Sequence, residues 1–394
     1  MSQRKLSDAL LPFFVLSFLS LLGICSALRA RARAEDAPCP APDPGQLWSG
    51  AWQSGFSEWL TTRFAGYDLM LRTRNQLLYS VFNEASGNWL VGKKKYLFSK
   101  SQSYDFVTDD RTWIPFSAEF DSYAEKVAAV QSRLEQLGKQ FVFILTPYKA
   151  ELYTDCLPWN YRILAKRYAD GGGKNTAMEK LVAAFRRHGV FYYDVTDDLR
   201  AIERRGGEFP AFYKTAHHWS LSAAAEILPK IFARVKERYP GFEEPRLCVA
   251  GQDDALFRMD VDVLSIQRLF FGSKAKRYVS PRIVYDRALE KRWYLYGTSN
   301  GGEIYEALFR SQVNCAASRV VFQLYNVTRF EAGTRGESKE DFFAEGAFAS
   351  YVSDISDCDF VMVEQGRTAG VMETHEKFFD YLRARLDALS PRAD

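Results

Sequence analysis

The chain has 394 residues, room for one large domain or two ordinary ones, and its 47% apolar and 26% charged content excludes a disordered chain. Its net charge of +3 sits at one end: Arg4, Lys5, Arg29, Arg31 and Arg33 face only Asp8 in the first 34 residues, and beyond them 47 basic residues face 48 acidic ones. A body so nearly neutral gives no support to a nucleic-acid partner. The 30 Phe, 21 Tyr and 8 Trp suit a large core and leave aromatics to line a cleft, as in many sugar-binding proteins.

Ala9 to Leu28 is a run of twenty uncharged residues, long enough to cross a bilayer as a helix. Placed after Arg4 and Lys5, it reads as a signal anchor with a cytoplasmic N-terminus, or as a long cleavable signal; Arg29, Arg31 and Arg33 on the far side weigh against that orientation. An uncleaved anchor over residues 1–33 is preferred, followed by a Pro-, Ala- and acid-rich linker at 34–47 and a domain at 48–390. Residues 48–85 carry helical periodicity, and Leu90-Val91-Gly92 with Lys93 to Phe98 reads as strand, turn and strand.

From residue 118 helices alternate with continuous apolar runs. Helices are expected at about 118–137, 176–187, 221–238 and from 302, and strands at Phe141–Leu145, Val190–Tyr193, Trp293–Tyr296, Val320–Leu324 and Phe360–Val363. Apolar runs separated by helices predict a mostly parallel sheet with helices on both faces. The stretch 240–290 has no clear assignment and reads as an insertion or a cover over the site. Beyond the anchor, Cys39, Cys156, Cys248, Cys315 and Cys358 lack metal-ligand spacing, and five leaves at least one unpaired among them. No Walker loop, dinucleotide fingerprint or metal constellation is present, so no cofactor is implied.

Four segments could carry chemistry. Gly297-Thr298-Ser299-Asn300-Gly301-Gly302 follows a strand and opens a helix, which puts Ser299 at the carboxyl edge of the sheet with helix-start amides beside it. The plain alternative is that Ser299 caps the helix. Thr215-Ala216-His217-His218-Trp219-Ser220 holds two of the four histidines, and imidazole titrates where a proton shuttle works best. Neighbours on an extended segment point opposite ways, so one of the two reads as a core histidine. His188 and His375 lie in charged helices and read as solvated. Thr146-Pro147-Tyr148-Lys149 follows another strand end, where Lys149 reads as a substrate ligand or as a surface lysine, and Glu364-Gln365-Gly366-Arg367 ends the last strand.

Together, Leu90-Val91-Gly92-Lys93, Tyr96-Leu97-Phe98, Thr146 to Lys149, Lys214 to Ser220 and Tyr296 to Ser299 resemble the alginate O-acetyltransferase proteins of the SGNH-hydrolase-like class and the related Asp-His-His-Trp motif proteins. That resemblance spans about residues 50–370. It implies a flavodoxin-like core facing the periplasm behind an inner-membrane anchor. It also implies acetyl transfer to exopolysaccharide hydroxyls through an acetyl-serine, with the acetyl supplied by a multispanning membrane acyltransferase. Carried over, Ser299 is the nucleophile and His218 the base, with the Ser299 amide and Asn300 at the oxyanion and Lys149, Tyr148, His217 and Trp219 around the substrate. Two positions depart from the family: Ala216 replaces an aspartate that orients the imidazole, and Thr298 replaces the aspartate of a Gly-Asp-Ser turn. Asp194, Asp197 or Asp198 could supply the missing acid, a Ser-His dyad could suffice, or the chain is a silent glycan-binding or scaffold subunit.

Overall fold

Residues 41–63, 67–108, 117–170, 177–207, 209–244, 247–253, 263, 267–270, 280–285, 292–312, 320–324, 328–331, 334–339, 355–366 and 369–387 are described in the computed structural model of the chain. The expected anchor at 9–28 lies outside them, and among the described residues no helix is long and apolar enough to cross a membrane. The chain divides into two units, residues 1–82 with 267–271 and residues 83–266 with 272–394, so the domain expected over 48–390 contains residues of both.

In the smaller unit, α1 (Pro44–Ser49) begins inside the segment expected to be a linker. Asp43 accepts a hydrogen bond from the Gly45 amide at 2.8 Å, and Pro44 takes the first helical position, where a missing N–H costs nothing. Gly50, at φ +78°, ends that turn. The periodicity of 48–85 is therefore broken into α1, α2 (Ala51–Arg63) and α3 (Tyr67–Leu77), the last running into a π turn at Leu78–Phe82. Trp52, Phe56 and Trp59 stack along α2 at ring separations of 4.9 and 6.0 Å, and the Asn75 amide donates to the Gln267 carbonyl at 2.8 Å.

The larger unit starts with an antiparallel hairpin, β1 (Trp89–Val91) and β2 (Leu97–Ser99). Gly92 at its turn admits no other residue, because a Cβ there would lie 2.1 Å from the Cys156 carbonyl oxygen. Helices α4 (Lys100–Thr108) and α5 (Ser117–Gln136) lead to β3 (Gln140–Thr146). The chain then passes through α6 (Lys149–Leu152), α7 (Trp159–Asp170) and α8 (Ala177–His188) to β4 (Tyr192–Asp194). Next come α9 (Thr196–Arg205) and α10 (Leu221–Arg238). The unassigned 240–290 region holds a two-stranded antiparallel ribbon, β5 (Leu247–Asp253) with β6 (Ser280–Tyr285).

The remaining elements are β7 (Trp293–Gly297), α11 (Gly301–Gln312), β8 (Val320–Leu324), β9 (Thr328–Glu331), β10 (Thr334–Lys339), β11 (Phe360–Gly366) and α12 (Ala369–Leu386). The main sheet runs β10-β9-β8-β7-β11-β3-β4, with β8, β7, β11, β3 and β4 parallel and β9 and β10 antiparallel. In a flavodoxin-like order the last parallel strand would lie at the edge. Here it lies between the first and third parallel strands, a correction to that expected order. The sequence of β11 explains the position, since all seven of its residues are buried.

Alternation along the strands sorts the core into two faces. Val142, Ile144, Leu295 and Met362 face α10 and α11, and Phe141, Phe143, Tyr294 and Val361 face α5, α8 and α12. Each buried side chain of this size contributes about 1.5–3 kcal/mol by leaving water. That packing fixes the strand ends on which the candidate site stands.

Candidate active site

Three adjacent strands, β7, β11 and β3, end side by side, and the serine turn is built on them. Gly297 closes β7, and a Cβ there would meet Glu364 Oε2 at 2.9 Å, so glycine lets the turn lie against the neighbouring strand. Glu364, fifth residue of β11, is fully buried. Its Oε1 accepts from Thr146 Oγ1 at 2.5 Å, and its Oε2 accepts from the Thr298 amide at 2.9 Å and from Thr298 Oγ1 at 2.7 Å. Burial pushes this carboxyl above the usual carboxylate range, and hydrogen bonds from Thr146, Thr298 and the Gly301 backbone pull it back.

Ser299 is half-buried at the start of α11. Among the described residues its hydroxyl makes no hydrogen bond, so it does not serve as the helix cap, and its bond to a histidine is not formed in this state. Catalytic hydrogen bonds commonly close only when substrate binds. Asn300 is held at three points: its amide donates to Thr298 Oγ1 at 3.2 Å, its Nδ2 approaches Thr146 Oγ1 at 3.5 Å, and its carbonyl accepts from Trp219 Nε1 at 2.8 Å.

The histidines lie on the loop between α9 and α10. Ser220 ends that loop by capping α10: its Oγ accepts from the Ala223 amide at 3.1 Å and donates to the Pro210 carbonyl at 2.7 Å. Lys149, only 3% exposed, donates to the carbonyls of Tyr213 at 2.7 Å, Lys214 at 3.0 Å and Ala216 at 2.7 Å. Its ammonium also lies 5.5 Å from the ring centres of both Tyr96 and Phe98. The Leu97 amide adds a bond to the Lys214 carbonyl at 2.8 Å, which ties the β1–β2 hairpin to the same loop.

His218 is buried and His217 half-buried. Their rings meet edge to face at 4.9 Å, and Trp89 meets His217 at 5.4 Å. The expected splaying of the two histidines is thus corrected, because the backbone bends here and is not a strand. Tyr148 is buried in the core, and Trp219 is buried with its indole turned to the serine turn. The Trp219–Asn300 bond brings together the residues that follow His218 and Ser299.

The candidate acids are engaged locally. Asp194 accepts from the Thr196 amide at 2.9 Å and its hydroxyl at 2.5 Å, Asp197 pairs with Arg200 at 3.2 Å, and Asp198 accepts from Tyr193 and Lys230. His188 pairs with Asp121 at 3.2 Å near the surface, as its helix predicts. His375 does not follow expectation. It is fully buried, bonds the Glu364 carbonyl at 3.0 Å and packs on Tyr296, because its position on α12 faces the sheet. Glu364, Thr146 and Thr298 are the site residues that motif reading left without a role, and their one signal is polarity at the ends of otherwise apolar strands. Arg367 and the side chains of Cys39, Cys248 and Cys315 lie outside the described residues, and among the described residues Cys156 and Cys358 form no disulfide.

Residues 90–246 match the family described as SGNH hydrolase-like domain, acetyltransferase AlgX. Over that segment, about two fifths of the chain, the sequence is similar to the AlgX acetyltransferase family. The match contains Lys149 and the His217-His218-Trp219 loop, and Ser299 lies beyond it. Among solved structures, the O-acetyltransferase domain of Pseudomonas putida AlgJ is 15% identical with a TM-score of 0.40, covering 76% of this chain and 99% of that one. Pseudomonas aeruginosa AlgX is 17% identical with a TM-score of 0.46, covering 76% of this chain and 67% of that one. Bacillus cereus PatB1 is 12% identical with a TM-score of 0.38, covering 71% of this chain and 95% of that one. No curated protein matches the sequence.

Proposed function

We propose that the chain transfers acetyl groups to hydroxyls of a cell-surface or exopolysaccharide through an acetyl-Ser299 intermediate. The observation that carries this reading is the Trp219–Asn300 hydrogen bond, which sets the histidine loop against the serine turn. The AlgX acetyltransferase match over the histidine segment supports the same chemistry. In the first step His218 takes the Ser299 proton as Oγ bonds to the acetyl carbonyl carbon; the tetrahedral intermediate then collapses, and the donor's leaving group departs with that proton. In the second step His218 takes the proton of a sugar hydroxyl, whose oxygen bonds to the acetyl carbon, and Ser299 leaves with the proton restored. The Ser299 amide and the Asn300 side chain are the proposed donors to the oxyanion. Lys149, with its hydrogens directed to loop carbonyls, acts in this scheme as a positioning residue. His217 and Trp89 border the sugar.

We further propose that residues 9–28 hold the chain in the inner membrane with the larger unit in the periplasm, and that a multispanning membrane acyltransferase supplies the acetyl group. A second reading, a silent glycan-binding or scaffold subunit, rests only on Ala216, which is fully buried and offers no carboxylate to the imidazole. The test is a chromogenic acetyl ester with intact-mass analysis of the native chain and Ser299→Ala. A 42-dalton-class adduct on the native chain alone, with turnover falling about 10⁴-fold or more in Ser299→Ala, supports transfer. Equal turnover in both sinks it.

A further inference from the structure

We propose that Glu364 is a positioning residue of this site, orienting Asn300 beside Ser299 through the hydroxyls of Thr146 and Thr298. The inference deepens the acetyl-transfer reading and rests on it. A carboxyl group in the middle of a parallel sheet, on a strand buried at every residue, is costly unless its oxygens are fully engaged. Those of Glu364 are engaged by groups from both neighbouring strand ends, Thr146 closing β3 and Thr298 just after β7.

The direction of these bonds is what matters. A hydroxyl has one proton to give. With the Thr298 proton given to Glu364, and the Thr146 proton given to Glu364 at 2.5 Å with the Gln365 carbonyl a longer second acceptor at 3.4 Å, each Oγ1 presents lone pairs, and both then face donors of one residue: the Asn300 amide at 3.2 Å on Thr298, and Asn300 Nδ2 at 3.5 Å on Thr146. An acceptor at position 364 thereby sets both hydroxyls to receive from Asn300. With its carbonyl held by Trp219, Asn300 has little freedom to rotate. Among the described residues the Ser299 amide makes no hydrogen bond, so it and the second Nδ2 hydrogen of Asn300 remain for an incoming carbonyl oxygen. Donors fixed before the charge develops are the ones that lower the barrier.

The experiment uses the full chain and two independent readouts, acylation kinetics with the acetyl ester and amide hydrogen exchange across 297–301. Thr146→Val is expected to lower the acylation kcat about tenfold with KM within about twofold, as loss of one orienting bond implies, and Thr146→Ser to restore it. Adding Thr146→Val to Asn300→Ala should cost nothing further, because both remove the same donor. Glu364→Gln should speed exchange at the Thr298 and Gly301 amides about tenfold. Unchanged kcat in Thr146→Val, multiplicative losses in the double variant, or unchanged exchange in Glu364→Gln would each overturn the proposal. Should the native chain form no acetyl-serine, the transfer reading falls, and the exchange result alone decides whether Glu364 clamps the turn.

Discussion

The serine turn and the histidine loop are each organised around one buried ionisable side chain, a carboxyl in the first and an ammonium in the second. Glu364 collects donors: two threonine hydroxyls and backbone amides of the turn. Lys149 collects acceptors, the carbonyls of Tyr213, Lys214 and Ala216. A turn that opens a helix exposes amides and calls for an anion, while an irregular loop turns carbonyls inward and calls for a cation. The comparison also separates two jobs that an aspartate at position 216 would combine. Lys149 holds the carbonyls of the histidine loop, so an alanine at position 216 leaves the loop its anchor.

Four substitutions would break or sharpen that division. The largest effect is expected from Ala216→Asp. If the loop is already placed, a carboxylate there should raise the acylation rate about 10²–10³-fold, read from the kcat for the acetyl ester. No gain in a folded variant would mean that orientation is already supplied. Lys149→Met should come next, because three buried carbonyls lose their donor. A loss of about 3 kcal/mol in denaturant stability is expected, with Lys149→Arg failing to rescue because its planar fork cannot meet three convergent oxygens. Stability unchanged in Lys149→Met would deny the loop its cation. Gly92→Ala tests the hairpin that braces the loop: its methyl would collide with the Cys156 carbonyl, and the shift needed should cost about 2 kcal/mol in thermal unfolding. The smallest effect belongs to Trp219→Phe, which removes only the bond to Asn300. A fall in kcat of about fivefold with KM unchanged matches one hydrogen bond of about 1 kcal/mol; a change in KM alone would place the indole on substrate binding.

Much of this could be read from residue order. The continuous apolar runs at Phe141, Trp293, Val320 and Phe360 gave the parallel strands, and the Gly-Thr-Ser and His-His-Trp segments gave two neighbouring parts of the site, because local pattern sets both. Three things were hidden, each for a long-range reason. The slot of β11 between β7 and β3 depends on which edges pair, and apolar runs carry no partner label. The burial of His375 depends on which side of α12 meets the sheet, and a charged helix disguises that. Lys149 looks like any lysine after a strand until a loop more than sixty residues later folds over its ammonium.

The central place of the last strand bears on how the protein is made. Synthesis delivers β3 and β4 first and β7 to β10 later, so until β11 is made the sheet exists as two halves, each with an open inner edge. Phe360–Gly366 zips them together and brings Glu364 with it. The serine turn therefore gains its anchor only once Phe360–Gly366 has been made, and a product cut short before residue 360 would expose two apolar strand edges, a ready template for aggregation.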